Sequence, residues 1–306
     1  MLATTLRIFL ALEVAFYATL AICYFNASPA VAALAALGGV LAGRLWMVAL
    51  TYVYAGVFHS PAPRLSVPQA LGMAFAEYAA FVAVFVLIAP FERQWMGEDR
   101  LKPAGGRPPL LLVNGYGCSR GAWWWLRRRL EAAGWTVATI NLEPLYTSID
   151  NYLEPLAQRI DAVLAQTGAP RLILVGHSMG GLVARAYLRR FGGGQVTKLV
   201  TLGTPHAGTQ LARFGRGQNA RQMEPGSAWL QALASAPLAV ETVLIYSLHD
   251  SNVVPQSNLE LAGATSLTVE GVGHLSMLFS KRVASVLLAA LETPEIASAG
   301  WKLRRS

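Results

Sequence analysis

The near absence of charge from the first 91 residues restricts the fold of this chain more than any other feature. Only three of its 25 basic and two of its 17 acidic side chains lie there. These five residues are Arg7, Glu13, Arg44, Arg64 and Glu77. In a soluble domain roughly a quarter of the residues are charged, so this segment cannot supply a water-exposed surface. The rest of the chain has an ordinary charge density, and we predict two structurally different parts in series.

Three apolar runs in this segment are long enough to cross a bilayer, which takes about 20 residues. The runs cover residues 6–25, 31–55 and 69–90. Prolines in the two connections cannot continue a helix, so we predict a transmembrane anchor of about three helices over residues 1–92. A cleaved signal peptide is the competing interpretation of the first run, but two further runs follow it. The sequence leaves open whether the third run spans the membrane or lies in its interface.

Three ionisable side chains lie inside these runs, where each costs about 2.5–3.5 kcal/mol to insert. If the helices alternate in direction and rise about 1.5 Å per residue, Glu13, Arg44 and Glu77 come to similar depths. We therefore expect an intramembrane Glu13–Arg44–Glu77 cluster. In the alternative, Arg44 reaches the interface and each glutamate is protonated.

The overall charge bears on partners and orientation. The net charge is +8 and the sequence pI is 9.8, but no aromatic–basic pattern of a nucleic-acid module accompanies it. We expect the lipid bilayer as a partner, with basic side chains near anionic headgroups, and no nucleic acid. Three spans place the N-terminus and the C-terminal part on opposite sides, and the count of basic residues favours a cytoplasmic C-terminal part by a small margin.

From about residue 108, short apolar runs alternate with amphipathic stretches. Six runs have the length of strands: 110–113, 136–140, 172–175, 196–202, 242–248 and 266–270. Near-continuous apolar strands that alternate with helices are typical of a parallel sheet covered on both faces. We predict an α/β domain over residues 108–292, with a mostly parallel sheet of about six strands and a final helix over 275–292. Residues 93–107 are then a linker and 293–306 a basic tail.

The motif that carries chemistry is Gly176-His177-Ser178-Met179-Gly180, a G-x-S-x-G sequence between an apolar strand and a helix. A serine on such a tight turn adopts a strained backbone, and Gly176 and Gly180 leave the room that the turn needs. The turn exposes the hydroxyl at a helix N-terminus, where developing negative charge is favoured. Ser178 is therefore the candidate nucleophile.

A nucleophilic serine needs a base and an acid that orients it, in the order Ser, Asp or Glu, His for this architecture. Of the five histidines, His274 follows every acid candidate at a strand end, and the glycines before it allow a flexible turn. Asp250 is the only aspartate after Ser178 and follows the fifth predicted strand. A simple turn role for Asp250 and a surface role for His274 are the alternatives, and Glu241 and Glu270 are the reserve acids.

The reaction also needs two amides that bind the oxyanion, one after the nucleophile and one after the first strand. The N–H group of Met179 is the first. We choose the N–H group of Tyr116 as the second, because Gly115 and Gly117 on either side let the backbone turn that amide inward.

Two segments, Val175–Gly181 and Leu202–Gly208, resemble the bacterial lipase/esterase branch of the α/β-hydrolase superfamily. The Asp250/His274 pair fits the same family, and the apolar segment resembles its membrane-anchored forms. The resemblance implies an α/β-hydrolase fold and carboxylic-ester hydrolysis by a serine, without a cofactor. The family usually has a histidine where this chain has Asn114, which puts the packing of the oxyanion loop in question. Secreted relatives often bind calcium through two aspartates, and because Asp250 is the only one after the serine we expect no metal ion.

The sequence therefore predicts a membrane-anchored serine hydrolase of the bacterial inner membrane. A lipid or lysolipid ester is the favoured substrate, because a tethered enzyme meets such esters at high local concentration. The block Trp123-Trp124-Trp125 either packs a helix onto the sheet or lines the substrate cleft at the membrane interface. Residues 228–233 have a pattern that suits a short lid helix. Acyl transfer with the same residues and a non-catalytic membrane scaffold are the alternatives. The headgroup, the acyl length and the oligomeric state are not determined by the sequence.

Overall fold

The computed structural model describes residues 2–58 and 60–292. His59 and the predicted basic tail, 293–306, lie outside the described residues. The described chain has an apolar helical part followed by an α/β domain.

The first part contains three long helical segments, each long and apolar enough to cross a membrane. They are α1 (Leu2–Phe25), α2 (Pro29–Ala55) and α3 (Val67–Val82), the last of which continues through a π-helical turn (Ala83–Ile88) and a 3₁₀ turn (Ala89–Phe91) into the short helix α4 (Glu92–Met96). Helix α2 begins at Pro29 because Ser28 caps it and proline suits the first helical position. Helices α1 and α2 pack against each other as a hairpin.

The second part is built on a six-stranded sheet with the order β2-β1-β3-β4-β5-β6. Its strands are β1 (Leu110–Val113), β2 (Val137–Ile140), β3 (Leu172–His177), β4 (Val196–Leu202), β5 (Glu241–Tyr246) and β6 (Thr265–Thr268). Every neighbouring pair is parallel, which confirms the predicted α/β class and the number of strands. Strands β1, β2 and β3 are buried along their whole length, because helices cover both faces of the sheet.

Two apolar layers cover the sheet. One layer contains α5 (Trp124–Ala132) and α10 (Lys281–Glu292), and the other contains α6 (Leu153–Thr167) and α7 (Met179–Phe191). Two short helices, α8 (Gly217–Gln222) and α9 (Ala228–Ala234), lie in the long connection after β4. The prediction of one final helix over 275–292 is wrong at its start: residues 276–279 form a 3₁₀ turn, and the extended backbone of Ser280 (ψ 123°) separates it from α10.

The start of α1 and the end of α2 both contact loops at the carboxyl edge of the sheet. The backbone nitrogen of Leu2 donates a hydrogen bond to the carboxylate of Glu143, in the loop after β2 (3.5 Å). The ring of Tyr54 lies edge-on to that of Phe214, in the connection after β4 (5.2 Å between centroids). The start of α1 therefore lies beside the α/β domain. The expectation that three spans place the two on opposite sides of a membrane stays a prediction.

The third helical segment lies along the α/β domain from end to end. Leu65, just before α3, approaches Gly271. Val84 belongs to the same apolar core as the residues of α5, and Ile88 packs directly against Gly121. One side of this segment thus packs against the α/β domain, and the other side exposes apolar side chains.

The expected Glu13–Arg44–Glu77 cluster forms only in part. Arg44 and Glu13 make an ion pair between α2 and α1. Glu77 does not join them, because its side chain points toward the α/β domain and bonds the backbone of Leu275 and Ser276 there. The depth of a residue in the membrane does not predict this contact, because depth does not fix the rotation of α3 about its axis.

Asp99 fastens the predicted linker, 93–107, to the α/β domain. Its carboxylate forms ion pairs with Arg120 (3.3 Å), Arg127 (3.0 Å) and Arg159 (2.6 Å). It also accepts a hydrogen bond from the backbone of Thr139 on β2 (2.7 Å). The linker is therefore anchored by a nearly buried network of charges.

Candidate active site

Ser178 occupies the sharp turn between β3 and α7. Its backbone has φ 53° and ψ −127°, a conformation that L-residues adopt only under strain and that is common at functional sites. The hydrogen bond from its backbone nitrogen to the carbonyl of Leu202 on β4 (2.9 Å) holds the turn in place. The side chain is half-buried and lies at the N-terminus of a 13-residue helix.

Glycines surround this turn because no side chain fits there. A Cβ atom on Gly180 would collide with the carbonyl oxygen of Val113, and one on Gly176 would come within 2.5 Å of the backbone of Gly181. A Cβ atom on Gly115 would lie 2.9 Å from the Cβ atom of Ser178. Gly117 has space around it but a positive φ of 64°, which glycine adopts without strain.

Asp250 and His274, predicted far apart in the chain, are in direct contact. The imidazole Nδ1 of His274 lies 2.7 Å from Oδ2 of Asp250. The other carboxylate oxygen accepts hydrogen bonds from the backbone of Asn252 (2.7 Å) and Val253 (2.9 Å). Asp250 is fully buried, and its carboxylate accepts hydrogen bonds from these three groups. Because the carboxylate can only accept, the ring of His274 carries its proton on Nδ1, and Nε2 is free to accept a proton.

Opposing influences set the charge of His274. Burial lowers the pKa of its imidazole, whereas the charge and hydrogen bond of Asp250, and then the charge of Glu77, raise it. The net result is a pKa above the usual 6.5. A raised pKa makes the imidazole a stronger base.

The loops that carry Ser178 and His274 meet at His177. The ring nitrogen Nε2 of His177 lies 3.1 Å from the carbonyl oxygen of His274, and the two rings are 4.8 Å apart. Gly203 lies next to both Asp250 and the imidazole of His274. The preceding residue, Leu202, accepts the backbone hydrogen bond of Ser178. The hydroxyl of Ser178 makes no hydrogen bond within the described residues, although catalytic hydrogen bonds in unliganded sites often form only with substrate.

His177 is a site residue that the sequence analysis treated as the variable position of the motif. Only the tautomer with a proton on Nε2 can donate to the carbonyl of His274. Burial and the neighbouring charge of His274 lower the pKa of His177 to about 3, although the backbone hydrogen bond opposes this. Trp123 covers the ring edge-on (6.2 Å) and is itself fully buried. A neutral His177 therefore supports the His274 loop, and the packing interpretation holds for the first tryptophan of the block.

Of the two residues predicted to supply oxyanion amides, Met179 directly follows the serine, and Tyr116 directly follows Gly115, which lies against the Cβ atom of Ser178. Met179 is the first residue of α7, and an amide in that position has no partner within its helix. The loop of Tyr116 is held by the buried Asn114, whose amide donates to the carbonyl of Cys118 (2.8 Å). Asn114 thus fixes the turn in place of the histidine that the resemblance implies. The hydroxyl of Tyr116 donates to the carbonyl of Arg216 (2.8 Å) and accepts from its backbone nitrogen (2.7 Å).

The other candidate bases and acids lie outside this site. His206 is buried between Arg185 and Thr201, and burial followed by the charge of Arg185 lowers its pKa well below the usual value. Glu241 pairs with Lys198 at the opposite edge of the sheet (3.1 Å). Glu270 is exposed. Within residues 2–58 and 60–292, no three histidine, cysteine or acidic side chains are grouped closely enough to hold a metal ion.

Several known proteins are similar to this chain in sequence or fold. Residues 108–225 match the family model described as the alpha/beta hydrolase fold. Triacylglycerol lipases from Pseudarthrobacter phenanthrenivorans and Burkholderia plantarii are each 34% identical over 119 residues, which is 36% of this chain and 37% and 33% of theirs. The chain thus spans about a third of the length of these curated relatives.

Solved structures give the same result for the fold. The mature lipase BlEst2 of Bacillus licheniformis matches with a TM-score of 0.56 over 64% of this chain and 96% of its own, at 20% identity. Phospholipase PlaB from Legionella pneumophila matches with a TM-score of 0.51 over 62% and 60%, at 13% identity. Together with the parallel sheet, these similarities show that the chain contains a domain with the α/β-hydrolase fold.

Proposed function

We propose that this protein is a membrane-anchored serine hydrolase that cleaves the acyl esters of lipids. The observation that carries the proposal is the buried Asp250–His274 pair, 2.7 Å apart, beside a strained serine at a helix N-terminus. The triacylglycerol lipases to which the chain is similar support ester hydrolysis. No cofactor is needed for this chemistry.

In the first half-reaction, Ser178 Oγ forms a bond with the ester carbonyl carbon while Nε2 of His274 takes its proton. The carbonyl oxygen becomes an oxyanion and is bound by the N–H groups of Met179 and Tyr116. Asp250 holds the ring and stabilises the imidazolium. The imidazolium then gives its proton to the leaving alcohol as the carbon–oxygen bond breaks, and an acyl-serine remains.

In the second half-reaction, His274 takes a proton from water as the water oxygen attacks the acyl carbon. Collapse of this second intermediate releases the carboxylic acid, and the proton on Nε2 returns to Ser178. If an alcohol replaces the water, the same steps give acyl transfer. Products that appear only when an acceptor alcohol is added would identify that alternative.

The placement of the helices supports a lipid substrate. Loops at the carboxyl edge of the sheet, where Ser178 lies, contact the ends of α1 and α2. Phe214 is 72% exposed next to Tyr54 of α2, and exposed apolar side chains line the outer side of α3, among them Leu71 and Phe75. Ser178 therefore lies at the edge of the domain that the ends of the helices contact, and this short separation favours an acyl ester that arrives from the bilayer.

The same placement supports a hairpin topology, in which α1 and α2 cross the membrane and α3 lies in the interface. Trp95, after α3, packs on Trp124 (4.9 Å), and tryptophan prefers this boundary. In a variant without its own cysteines, Arg64→Cys and Lys102→Cys should react with an impermeant maleimide from the same side, and Asn26→Cys from the other. Labelling of positions 64 and 102 from opposite sides would support three spans instead.

A fluorophosphonate probe tests the catalytic proposal, because it reacts covalently with activated serines. The detergent-solubilised wild type should be labelled and Ser178→Ala should not. Hydrolysis of a panel of lipid and soluble esters should be lost in the same variant. Absence of labelling in a folded wild type would favour the non-catalytic scaffold, and equal labelling of Ser178→Ala would assign the nucleophile elsewhere.

A further inference from the structure

We infer that Glu77, on the third apolar segment, is a positioning residue of the active site and holds the loop that carries His274. This inference rests on the proposed function. It gives the N-terminal third a role in catalysis in addition to anchoring, since one of its side chains completes the support of the base.

The contact is a two-point clamp. Oε1 of Glu77 accepts a hydrogen bond from the backbone of Leu275, and Oε2 accepts one from the backbone of Ser276, each at 2.8 Å. Glu77 is 2% exposed and lies 198 and 199 positions before the two residues that it bonds. Hydrogen bonds from backbone N–H groups to a carboxylate are stronger than neutral ones, and both oxygens act here as acceptors, as suits the ionised form.

The loop is shaped to receive this carboxylate. A Cβ atom on Gly273 would collide with Oε2 of Glu77 and would lie 3.0 Å from the hydroxyl of Tyr52 on α2. Gly273 also donates a hydrogen bond to the side chain of Ser276 (2.9 Å). The loop therefore presents two N–H groups on one side of His274 to the helices, while Asp250 contacts the ring from the other.

The clamp has an electrostatic consequence as well as a mechanical one. The titratable groups that face His274 are Asp250 from the loop after β5, His177 from β3, Glu77 from α3 and Tyr52 from α2. Of these, Asp250 contributes most to stabilising the imidazolium formed during the reaction, and Glu77 adds to this in its ionised form. An ionised Glu77 acts on the base without contact with the reacting atoms.

The test compares Glu77→Gln with Glu13→Gln in the full-length protein in detergent. Both changes neutralise a carboxylate inside an apolar helix, but Glu13 pairs with Arg44 and does not contact the active-site loop. We expect Glu77→Gln to lower kcat for a soluble p-nitrophenyl ester by about 10- to 100-fold, as for a lost hydrogen bond to a charged group, with little change in KM. The midpoint of the acidic limb of kcat/KM should move to lower pH. Glu13→Gln should leave kcat and this midpoint unchanged.

The pH midpoint is measured on the folded fraction, so a lower yield of folded variant does not alter it. Glu77→Asp keeps the charge but shortens the side chain, and we expect a lower kcat with a midpoint close to that of the wild type. If Glu77→Gln does not assemble, a wild-type kcat in Glu77→Asp would overturn the inference. A wild-type kcat and midpoint in Glu77→Gln would overturn it too. Failure of the wild type to react with the fluorophosphonate probe would instead refute the proposed function.

Discussion

The substitution Asp250→Asn changes one charge at the centre of the candidate site and leaves its shape almost unaltered. In the wild type, one carboxylate oxygen accepts from the backbone of Asn252 and Val253, and the other from His274. The single carbonyl oxygen of asparagine should keep the two backbone donors. Its amide group then faces Nδ1 of His274, and the ring takes the tautomer with the proton on Nε2, which cannot accept a proton from Ser178.

The size of the effect follows from the contacts that are lost. A hydrogen bond to a charged group contributes about 1.5–3 kcal/mol. The attraction between two unit charges about 4 Å apart is about 4 kcal/mol at an effective dielectric constant of about 20. These contributions overlap, and we expect a loss of about 5 kcal/mol in transition-state stabilisation, close to a 10⁴-fold fall in kcat.

Steady-state hydrolysis of a soluble ester across pH measures this prediction. For the wild type, protonated His274 is inactive, so the rate should rise with pH through a midpoint above 6.5, because the pKa of His274 is raised. Loss of the Asp250 charge should move the remaining activity to a lower midpoint, since that charge favours the imidazolium. A variant with less than a tenfold loss and an unchanged pH profile would show that Asp250 does not orient the base.

Three further predictions concern the packing around the site, and thermal unfolding in detergent together with ester hydrolysis measures them. Gly180→Ala should lower stability by about 1–3 kcal/mol and abolish most activity, because the added methyl group would overlap a carbonyl oxygen of β1. The control is Gly194→Ala, where the methyl group would enter open space, and it should change stability by less than about 0.5 kcal/mol. Asp99→Asn should cost about 3 kcal/mol, because it removes a nearly buried carboxylate charge that three arginines share and leaves Arg159 without an acidic partner, whereas Arg120 and Arg127 keep Glu92 and Glu131. A loss below about 1 kcal/mol would contradict the importance of this network. Tyr116→Phe removes two hydrogen bonds to the backbone of Arg216, so stability should fall by about 1–2 kcal/mol while activity is largely kept; complete loss of activity would show that the hydroxyl itself takes part in the reaction.

Much of the α/β domain could be predicted from the sequence because its signals are local. The six strands are short apolar runs with turn residues between them, and all six are present near the predicted positions. The turn that carries Ser178 is identified by glycines whose spacing is set by steric contacts within the turn itself. The pairing of Asp250 with His274 follows from chain order, because the carboxyl ends of parallel strands meet at one edge of the sheet.

The placement of the apolar helices could not be predicted in the same way. Depth along a membrane normal put Glu77 with Arg44, but the rotation and tilt of α3 turn its carboxylate to Leu275 instead. The support of His274 by the ring of His177 was missed because a hydrogen bond from a side chain to a distant carbonyl leaves no signal in sequence spacing. The interruption of the last helix at Ser280 was missed for a similar reason.

The sequence by itself determined the elements of this protein, since apolar periodicity and glycine spacing depend on neighbours a few residues away. It determined an apolar helical third, a parallel α/β sheet and a candidate nucleophile, acid and base in the order Ser178, Asp250, His274. Only the tertiary structure decided how the two parts join: the start of α1 lies beside the domain, and α3 packs along it. The physical reason is that the charge of a buried carboxylate such as Glu77 must find hydrogen-bond donors, and which donors lie within reach is settled only when whole helices dock.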